Sequence, residues 1–451
     1  MAKEKSILII GSGVIGLCTA YYCAQRGHQV TVLDREAAGH EGCSFGNAGM
    51  IVPSHFVPLA APGMVALGLK WMWKPESPFY IKPRLDFDLF DWAFKFWQAS
   101  TAARITRAAP LLRDLSFASR ACFEELADAW SGRCRREEAP SPQSAIGNRQ
   151  SAISQSLLTS APTGDFGLTT RGLLMLCKTQ HGLDEEAKFA ERANQLGVPA
   201  QVLDAKQTTA LDPAVTLDIA GAVLFPKDAH LTPARFMAAL RAQCEAAGVR
   251  FKWNTEATGF AWQGQRITSV RTTRGDFVAD EVVIAGGSWS PLLARELDLR
   301  LPMQAGKGYS LTLPKPPQLP QLCSIFTEAR LAVTPMGSAL RIGGTMELAG
   351  LNEAINPVRV RGIITSALKY LPAFKASDFD GIQPWRGLRP CSPDGLPYVG
   401  RTSKFANLSL ATGHAMMGLS LGPITGRLMA QVLSDEPPEF DLGLLSPDRY
   451  A

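Results

Sequence analysis

The chain has 451 residues, enough for a large core and two domains, and its 46% hydrophobic and 19% charged content is that of a folded protein. A net charge of +5 over this length, with no run of five or more basic residues, argues against a dedicated nucleic-acid surface. The nine cysteines are scattered with no C-x-x-C pair, so no metal site or thioredoxin-like chemistry is expected, and reduced thiols in a cytoplasmic protein are the simplest reading.

The first apolar run, residues 6–10, is too short for a secretory signal and reads as a strand buried on both faces. The turn Gly11-Ser12-Gly13-Val14-Ile15-Gly16 follows, then a helix over residues 17–26 closed by Gly27, and a second strand over residues 29–33 ending at Asp34 and Arg35. This is a βαβ unit with a G-x-G-x-x-G turn. Gly11 permits the tight turn, Gly13 admits a pyrophosphate, and Gly16 lets helix and strand pack closely. The helix N-terminus offers free N–H groups to phosphates. Asp34 is placed to accept hydrogen bonds from a ribose.

Residues 42–69 carry no Asp, Glu, Lys or Arg and imitate a membrane span. Pro53, Pro58 and Pro62 interrupt the stretch, so a buried loop and helix start are expected there. His55, in its polar break, reads as a satisfied buried histidine, with a pocket-facing position as the alternative. Residues 71–130 are aromatic-rich. Leu89, Trp92, Ala93, Phe96 and Trp97 follow a 3.6 period and are expected in the core. Residues 131–163 are Ser/Pro/Gln-rich and repeat Gln-Ser-Ala-Ile, so an exposed, disordered insertion is expected.

Further along, a strand is expected over residues 172–177, helices over 183–197 and 232–248, and a strand over 251–255. Residues 268–274 and 277–285 read as a hairpin around Gly275-Asp276. Two later strands end in glycine, at Gly286 and Gly413, and the second leads into a helix through residue 433. A nicotinamide domain is usually contiguous. Distant glycine-ended strands fit a flavin domain assembled from separate pieces.

The stretch 11–36, followed by Ser44-Phe45-Gly46-Asn47-Ala48-Gly49, resembles the glycine/D-amino-acid oxidase family of flavoproteins, and most of all its bacterial D-amino-acid dehydrogenase branch. Further matches are residues 58–63, 306–311, 341–344, 385–390, 393–401 and 411–414, in the family's order. The resemblance implies FAD as cofactor and an α/β fold. A discontinuous Rossmann-like FAD-binding domain (1–60, 226–300 and 392–451) would join a mixed-sheet α+β substrate domain (61–225 and 301–391). Ser44, Asn47, Gly49 and Met50 would line the flavin, with Met50 near the reacting face. Ala257 would contact the adenine through its backbone. Gly413, His414, Met417, Gly418 and Leu419 would set a helix N-terminus at the pyrimidine end of the ring.

Arg389 would bind the substrate carboxylate, as a planar guanidinium does bidentately. A structural pairing with Asp394 and a takeover by Arg386 are the alternatives. Tyr309 would reach the carboxylate or close the pocket, or else be an ordinary strand tyrosine. His414 would contact flavin, with a base role less favoured. The implied reaction passes hydride from Cα of a D-amino or imino acid to flavin N5. Electrons would then go to a quinone or the electron-transfer chain, with peripheral attachment to the inner face of the plasma membrane. The signatures at 42–50 and 229–233 look like the D-proline and hydroxy-D-proline branch. An oxygen-using glycine, sarcosine or D-amino-acid oxidase, and a non-catalytic flavin-binding subunit, are the competing readings.

Overall fold

The computed structural model describes residues 3–72, 76–137 and 165–451. β1 (Ser6–Ile10) and β2 (Gln29–Leu33) pair in parallel, with α1 (Val14–Gln25) as the crossover. β9 (Arg250–Lys252), β12 (Glu281–Ile284), β18 (Tyr398–Arg401) and β19 (Leu408–Thr412) complete a six-stranded sheet in the order β18-β19-β12-β1-β2-β9. Every pair in it is parallel except β18–β19. The sheet is covered on both faces, which is why β1, β12 and β19 are mostly apolar and buried along their length.

On one face α1 packs against α7 (Gly422–Leu433) and α6 (Pro233–Ala246). The α1–α7 approach needs glycine, because a Cβ at Gly426 would fall 2.5 Å from the Cys18 carbonyl carbon. The opposite face is covered by a hairpin of β10 (Ala257–Gln263) and β11 (Arg266–Thr272). This corrects the expected hairpin. The turn falls at Gly264 (φ 58°), one strand earlier than Gly275-Asp276. Residues 281–284 are buried on both sides and pair with β1 instead, a burial that no hairpin edge could give them. Only isolated bridges, such as Val270 opposite Phe277, remain of the expected pairing.

A mixed sheet of nine strands faces this unit. Its main path runs β17 (Trp385–Cys391), β13 (Gln304–Leu313), β16 (Ala339–Leu348), β15 (Leu331–Met336), β14 (Cys323–Phe326), β5 (Leu173–Cys177), β7 (Gly221–Phe225) and β6 (Gln201–Asp204). β4 (Phe79–Ile81) adds to β16. One sheet face, with Tyr309, Leu311, Val333 and Ile342, is sealed by the helix Pro357–Leu368. The other face looks toward the six-stranded sheet across a cavity. A short ribbon of β3 (Met50–Ile51) and β8 (Ala229–His230) runs beside that cavity.

Three helical expectations change. α4 (Ala102–Glu137) runs through residues 131–137, so the expected insertion begins in helix, because extending an existing helix is easy. The rest of that insertion lies outside the described residues. α5 (Gln180–Gln195) starts earlier than expected because Thr179 caps it, its Oγ1 accepting from Gly182 N at 3.0 Å. In α3 (Phe87–Ala99), Leu89 and Trp92 are buried as expected and Phe96 partly so, but Ala93 is exposed and Trp97 is 61% exposed. The helix is apolar around most of its circumference, so a 3.6 period fits two stripes, and Trp97 belongs to the outer one. The strand expected over 251–255 stops at Lys252, since Asn254 adopts φ 51°. No helix among the described residues is long and apolar enough to cross a membrane, and none of their His, Cys, Asp and Glu side chains cluster as a metal site.

Candidate active site

A cavity of about 800 Å³ lies between the carboxyl ends of β1, β2, β12 and β19 and the facing wall of the nine-stranded sheet. Ligands of open α/β sheets bind at that edge. At its phosphate end, Gly11 adopts φ 112°, where a Cβ would strike the Ala285 carbonyl oxygen at 2.6 Å. Gly13 faces open space, its nearest neighbour being Ser44 Oγ at 3.7 Å from an added Cβ. Val14 N, in the first turn of α1, donates to Ser44 Oγ at 3.0 Å. Asp34 closes β2 with Oδ2 accepting from Ser12 N (2.8 Å) and Ser12 Oγ (2.5 Å). It thereby ties the glycine turn to the strand end and keeps lone pairs for a ribose.

Thr255, Glu256, Ala257, Gly286 and Gly287 line the next stretch of wall, where Arg35 lies 4.0 Å over the Trp289 ring. At the far end, Asn47, Met50, His414, Met417, Gly418 and Leu419 line the same cavity, while Ser44 sits at its phosphate end. Three predicted glycines do not line the cavity. A side chain at Gly16 would fall 1.9 Å from Gly11 O, at Gly49 2.3 Å from Leu231 O, and at Gly413 2.7 Å from the Tyr398 ring. Their place in the site is close packing behind its wall.

The helix expected to begin near Gly413 starts later. One 3-10 turn, Ala415–Met417, intervenes, and α7 begins at Gly422. His414 is no candidate base: it is fully buried, Nε2 bonds Thr425 Oγ1 at 3.0 Å, and burial pulls the ring down to about 3. Its Nδ1 has no partner, and it is the one such buried side-chain atom belonging to a described residue of the cavity wall. An elongated cavity with a glycine-lined phosphate end, open space at Gly13, Gly287 and Gly418, and an orphaned polar atom at the ring end fits FAD.

Arg389 stands on β17 with its guanidinium lying across Gly308, where a Cβ would fall 2.2 Å from Nη2. Its Nη1 donates to Thr345 O at 2.7 Å, and no carboxylate of the described chain pairs with it. Thr345 holds φ 70°, a conformation rare for a non-glycine residue. The suggested partner Asp394 is taken by Arg449 in a bidentate pair at 2.8 and 3.0 Å. Arg386 lines the cavity too, but its Nε donates to Glu353 O at 2.8 Å and Nη2 lies 3.5 Å from Glu353 Oε1.

Tyr309 borders the cavity, but its hydroxyl does not serve it, so of its two readings the strand tyrosine is favoured. Successive strand residues alternate faces, and Arg389 lies on the Gly308 face, so the Tyr309 ring points the other way. It is buried in the opposite core, its hydroxyl donating to Glu347 Oε2 at 2.7 Å and accepting from Asn356 N at 3.2 Å.

Several residues escaped sequence reasoning as site residues. Arg341 is buried with Nη1 donating to Phe45 O (3.2 Å) and Asn47 O (2.9 Å), so it holds the 45–47 turn, and burial lowers it to about 10. Trp385 fills the space beside Gly46, where a Cβ would lie 2.0 Å from the indole. Lys307, on the Tyr309 face of β13 and outside the cavity wall, is buried in the core behind it, donating to Ala354 O at 2.7 Å and lying 3.4 Å from Glu347 Oε1. Arg341, Trp385 and Lys307 lie inside matched motifs, which was the available signal. Ser54 and Asp228, bonded beside His55, gave none. His55 itself is half-buried and lines the cavity, so the pocket-facing alternative holds, with Nδ1 satisfied by Ser54 Oγ at 3.0 Å.

Fold and cavity together define a dinucleotide-binding flavoprotein assembled from a discontinuous βαβ sheet and a mixed-sheet partner. The DAO family, described as "FAD dependent oxidoreductase", matches residues 6–432. A "D-amino acid dehydrogenase" of Granulibacter bethesdensis is 33% identical over 454 aligned positions, covering 99% of both chains. Another of that name from Bradyrhizobium diazoefficiens is 33% identical, again over 99% of both. A glycine oxidase structure from Geobacillus kaustophilus shares the fold, with TM-score 0.74, 23% identity and full coverage of both chains. The chain belongs to the DAO family of FAD-dependent oxidoreductases, and FAD is its cofactor.

Proposed function

We propose that the chain oxidises D-amino acids to imino acids, which hydrolyse to 2-oxo acids in water. The observation that carries the substrate class is Arg389: a guanidinium on the cavity wall that no carboxylate of the described chain neutralises. It would clamp the substrate carboxylate bidentately and so fix the Cα–H in one direction. FAD, when bound, supplies a hydride acceptor at ring nitrogen N5. Arg341 and Trp385 hold the 45–47 turn in the cavity wall, where it would help to seat the ring. Support for the D series comes from full-length relatives bearing that name. The narrower choice of D-proline and hydroxy-D-proline is supported by the signatures at 42–50 and 229–233, and by apolar wall residues such as Met50, Met175 and Ile325. The test is anaerobic bleaching of the flavin by D-proline, cis-4-hydroxy-D-proline, D-alanine, glycine and sarcosine. Failure of every amino and imino acid to bleach it would leave a non-catalytic flavin carrier.

For the electron acceptor we infer a membrane quinone rather than oxygen, with the protein held peripherally at the bilayer's inner surface. The outer stripe of α3 supports this: Phe87, Phe90, Phe94 and Trp97 recur every three or four residues and are 93%, 56%, 56% and 61% exposed. Such a stripe suits the interfacial region of a bilayer. Lys82, Arg104 and Arg107 flank it, exposed and without an ion pair among the described residues, as anionic lipid would require. The inner face of the same helix, with Trp92 and Phe96, lines the cavity. Sedimentation with anionic vesicles, and little peroxide during turnover in air, are the expected results.

The domain division of the sequence remains our assignment. It is supported by the strands: those of the six-stranded sheet all fall in 1–60, 226–300 and 392–451, and those of the nine-stranded sheet in 61–225 and 301–391. α4 crosses the boundary, packing on α7 with Ser119 Oγ donating to Ser420 O at 2.6 Å.

A further inference from the structure

The β3–β8 ribbon does more than brace the cavity. Continuing its antiparallel course past Ile51 opposite Ala229 brings Ser54 onto Asp228. Asp228 is fully buried and forms no ion pair among the described residues. Ser54 N donates to Asp228 Oδ1 at 3.0 Å and Ser54 Oγ to Oδ2 at 2.5 Å. The same Ser54 Oγ lies 3.0 Å from His55 Nδ1, and His55 lines the cavity.

A hydroxyl has one hydrogen. While Asp228 is ionised, that hydrogen goes to its carboxylate and Ser54 Oγ accepts from the imidazole. Nδ1 therefore carries the ring proton, and Nε2 is left with a free lone pair. Nε2 bonds no group of the described chain and is not among its sealed polar atoms. We propose that His55 Nε2 takes a proton from the ammonium group of the bound amino acid and that Ser54 relays the charge to Asp228.

The proposal rests on the amino-acid oxidation reading above. One substrate N–H bond breaks and one Nε2–H bond forms. The imidazole passes its Nδ1 proton to Ser54 Oγ, and the hydroxyl passes its own to Asp228 Oδ2. The electron pair of the broken bond stays on the substrate nitrogen, which can then release hydride from Cα. FAD is the only oxidant required.

The surroundings favour this direction. Burial pulls the His55 ring down to about 4 and pushes Asp228 up to about 7, so the proton finishes on the inner carboxylate. Other charged and titratable groups face the relay from every side. Arg330 opposes a charged His55, and Glu186 of α5 faces Arg330. Arg120 of α4 and the Cys323 thiol of β14 face Asp228. Of these, Arg120 favours ionised Asp228 and Arg330 disfavours imidazolium, so His55 acts as a transit point for the proton.

The test uses FAD-loaded full-length protein and two readouts. In ¹⁵N-histidine NMR, His55 should show a protonated Nδ1 and an unprotonated Nε2 at pH 9, where Asp228 is ionised. Ser54→Ala should release that preference and Ser54→Thr restore it. A protonated Nε2 in the unaltered protein overturns the proposal. The second readout is the limiting rate of anaerobic flavin reduction against pH. His55→Gln should shift the acid limb upward, lowering the rate at pH 7 by about tenfold or more while leaving that at pH 10 within about threefold. Ser54→Ala should give a smaller shift in the same direction, which keeps the test independent of whether Asp228→Asn folds. Superimposable profiles, or equal losses at every pH, sink the relay while leaving amino-acid oxidation standing. No bleaching of the unaltered protein by any amino acid would sink both.

Discussion

The phosphate end of the cavity and its substrate end are built in opposite ways. The phosphate end is backbone from one stretch of chain: Gly11, Gly13, the first turn of α1 and the close of β2 at Asp34. The substrate end is side chains gathered from far apart. Arg389 rests on Gly308 and is held by Thr345 O, and Ser54 meets Asp228 across 174 positions. A backbone site tolerates almost no change in residue type. A side-chain site can lose one function while the fold survives.

The largest effect should come from breaking the phosphate end. In Gly16→Val the new Cβ would sit 1.9 Å from Gly11 O, so strand and helix must part. We expect about 4 kcal/mol or more of lost stability and a protein purified without FAD. Retention of stoichiometric FAD and an unchanged thermal midpoint would refute the backbone account. At the other end, Arg389→Leu should keep FAD and change stability by about 1 kcal/mol or less. Its kcat/KM for D-amino acids should fall by about 100- to 1000-fold, the cost of an unpaired substrate carboxylate. Loss of FAD from that variant would mean Arg389 supports the fold instead.

The same contrast explains what could be read in advance. The βαβ unit was legible because its constraints are local: an apolar strand, glycines at fixed spacing, an acid at the next strand end. Arg389 was legible only through its motif, which left a takeover by Arg386 as the alternative. That choice depends on Glu353 occupying Arg386 and on Arg449 occupying Asp394. The two readings of Tyr309 stayed open because alternation along β13 decides the face of its ring, and the residue lying over Gly308 comes from another strand. The 281–284 strand was paired with the wrong neighbour because its true partner, β1, lies at the start of the chain. The outer stripe of α3 was missed because period alone does not say which of two apolar faces meets the core.

A third prediction exploits the titratable groups of the substrate end. Burial lowers His55 and His230 to about 4 and His414 to about 3, against 6.5 in an unfolded chain. Each therefore stays neutral in the fold while the unfolded chain takes up a proton below 6.5. Asp228 has the opposite sign: raised to about 7 from 3.8, it holds a proton in the fold that the unfolded chain releases. Its contribution is complete below 3.8 and is lost as pH rises through 7. Between pH 6.5 and 4 these four groups leave the unfolded chain with two more protons. Stability should fall with acid, on the order of 2 kcal/mol per pH unit. Thermal midpoints across that window should show the slope, and His414→Asn should flatten it. A midpoint independent of pH there would show that these rings are solvated in the native protein.

The smallest effect on stability is expected at the outer wall of the same end. α3 carries Trp92 inward, with Nε1 donating to Cys391 O at 2.8 Å and the ring stacked on Phe96 at 5.1 Å. Five positions on, Trp97 points outward and is 61% exposed. Removing an exposed side chain costs little, so Trp97→Ser should leave the unfolding free energy within about 0.5 kcal/mol. The flavin should still be bleached at the original rate, since Trp97 does not line the cavity. Vesicle binding should nevertheless weaken, because an aromatic ring at a bilayer surface contributes burial that the isolated chain lacks. A large loss of stability would place the stripe against another part of the protein or a second copy of it. An unchanged vesicle affinity would remove the main support for a membrane-borne acceptor while leaving Arg389 and the phosphate turn untouched.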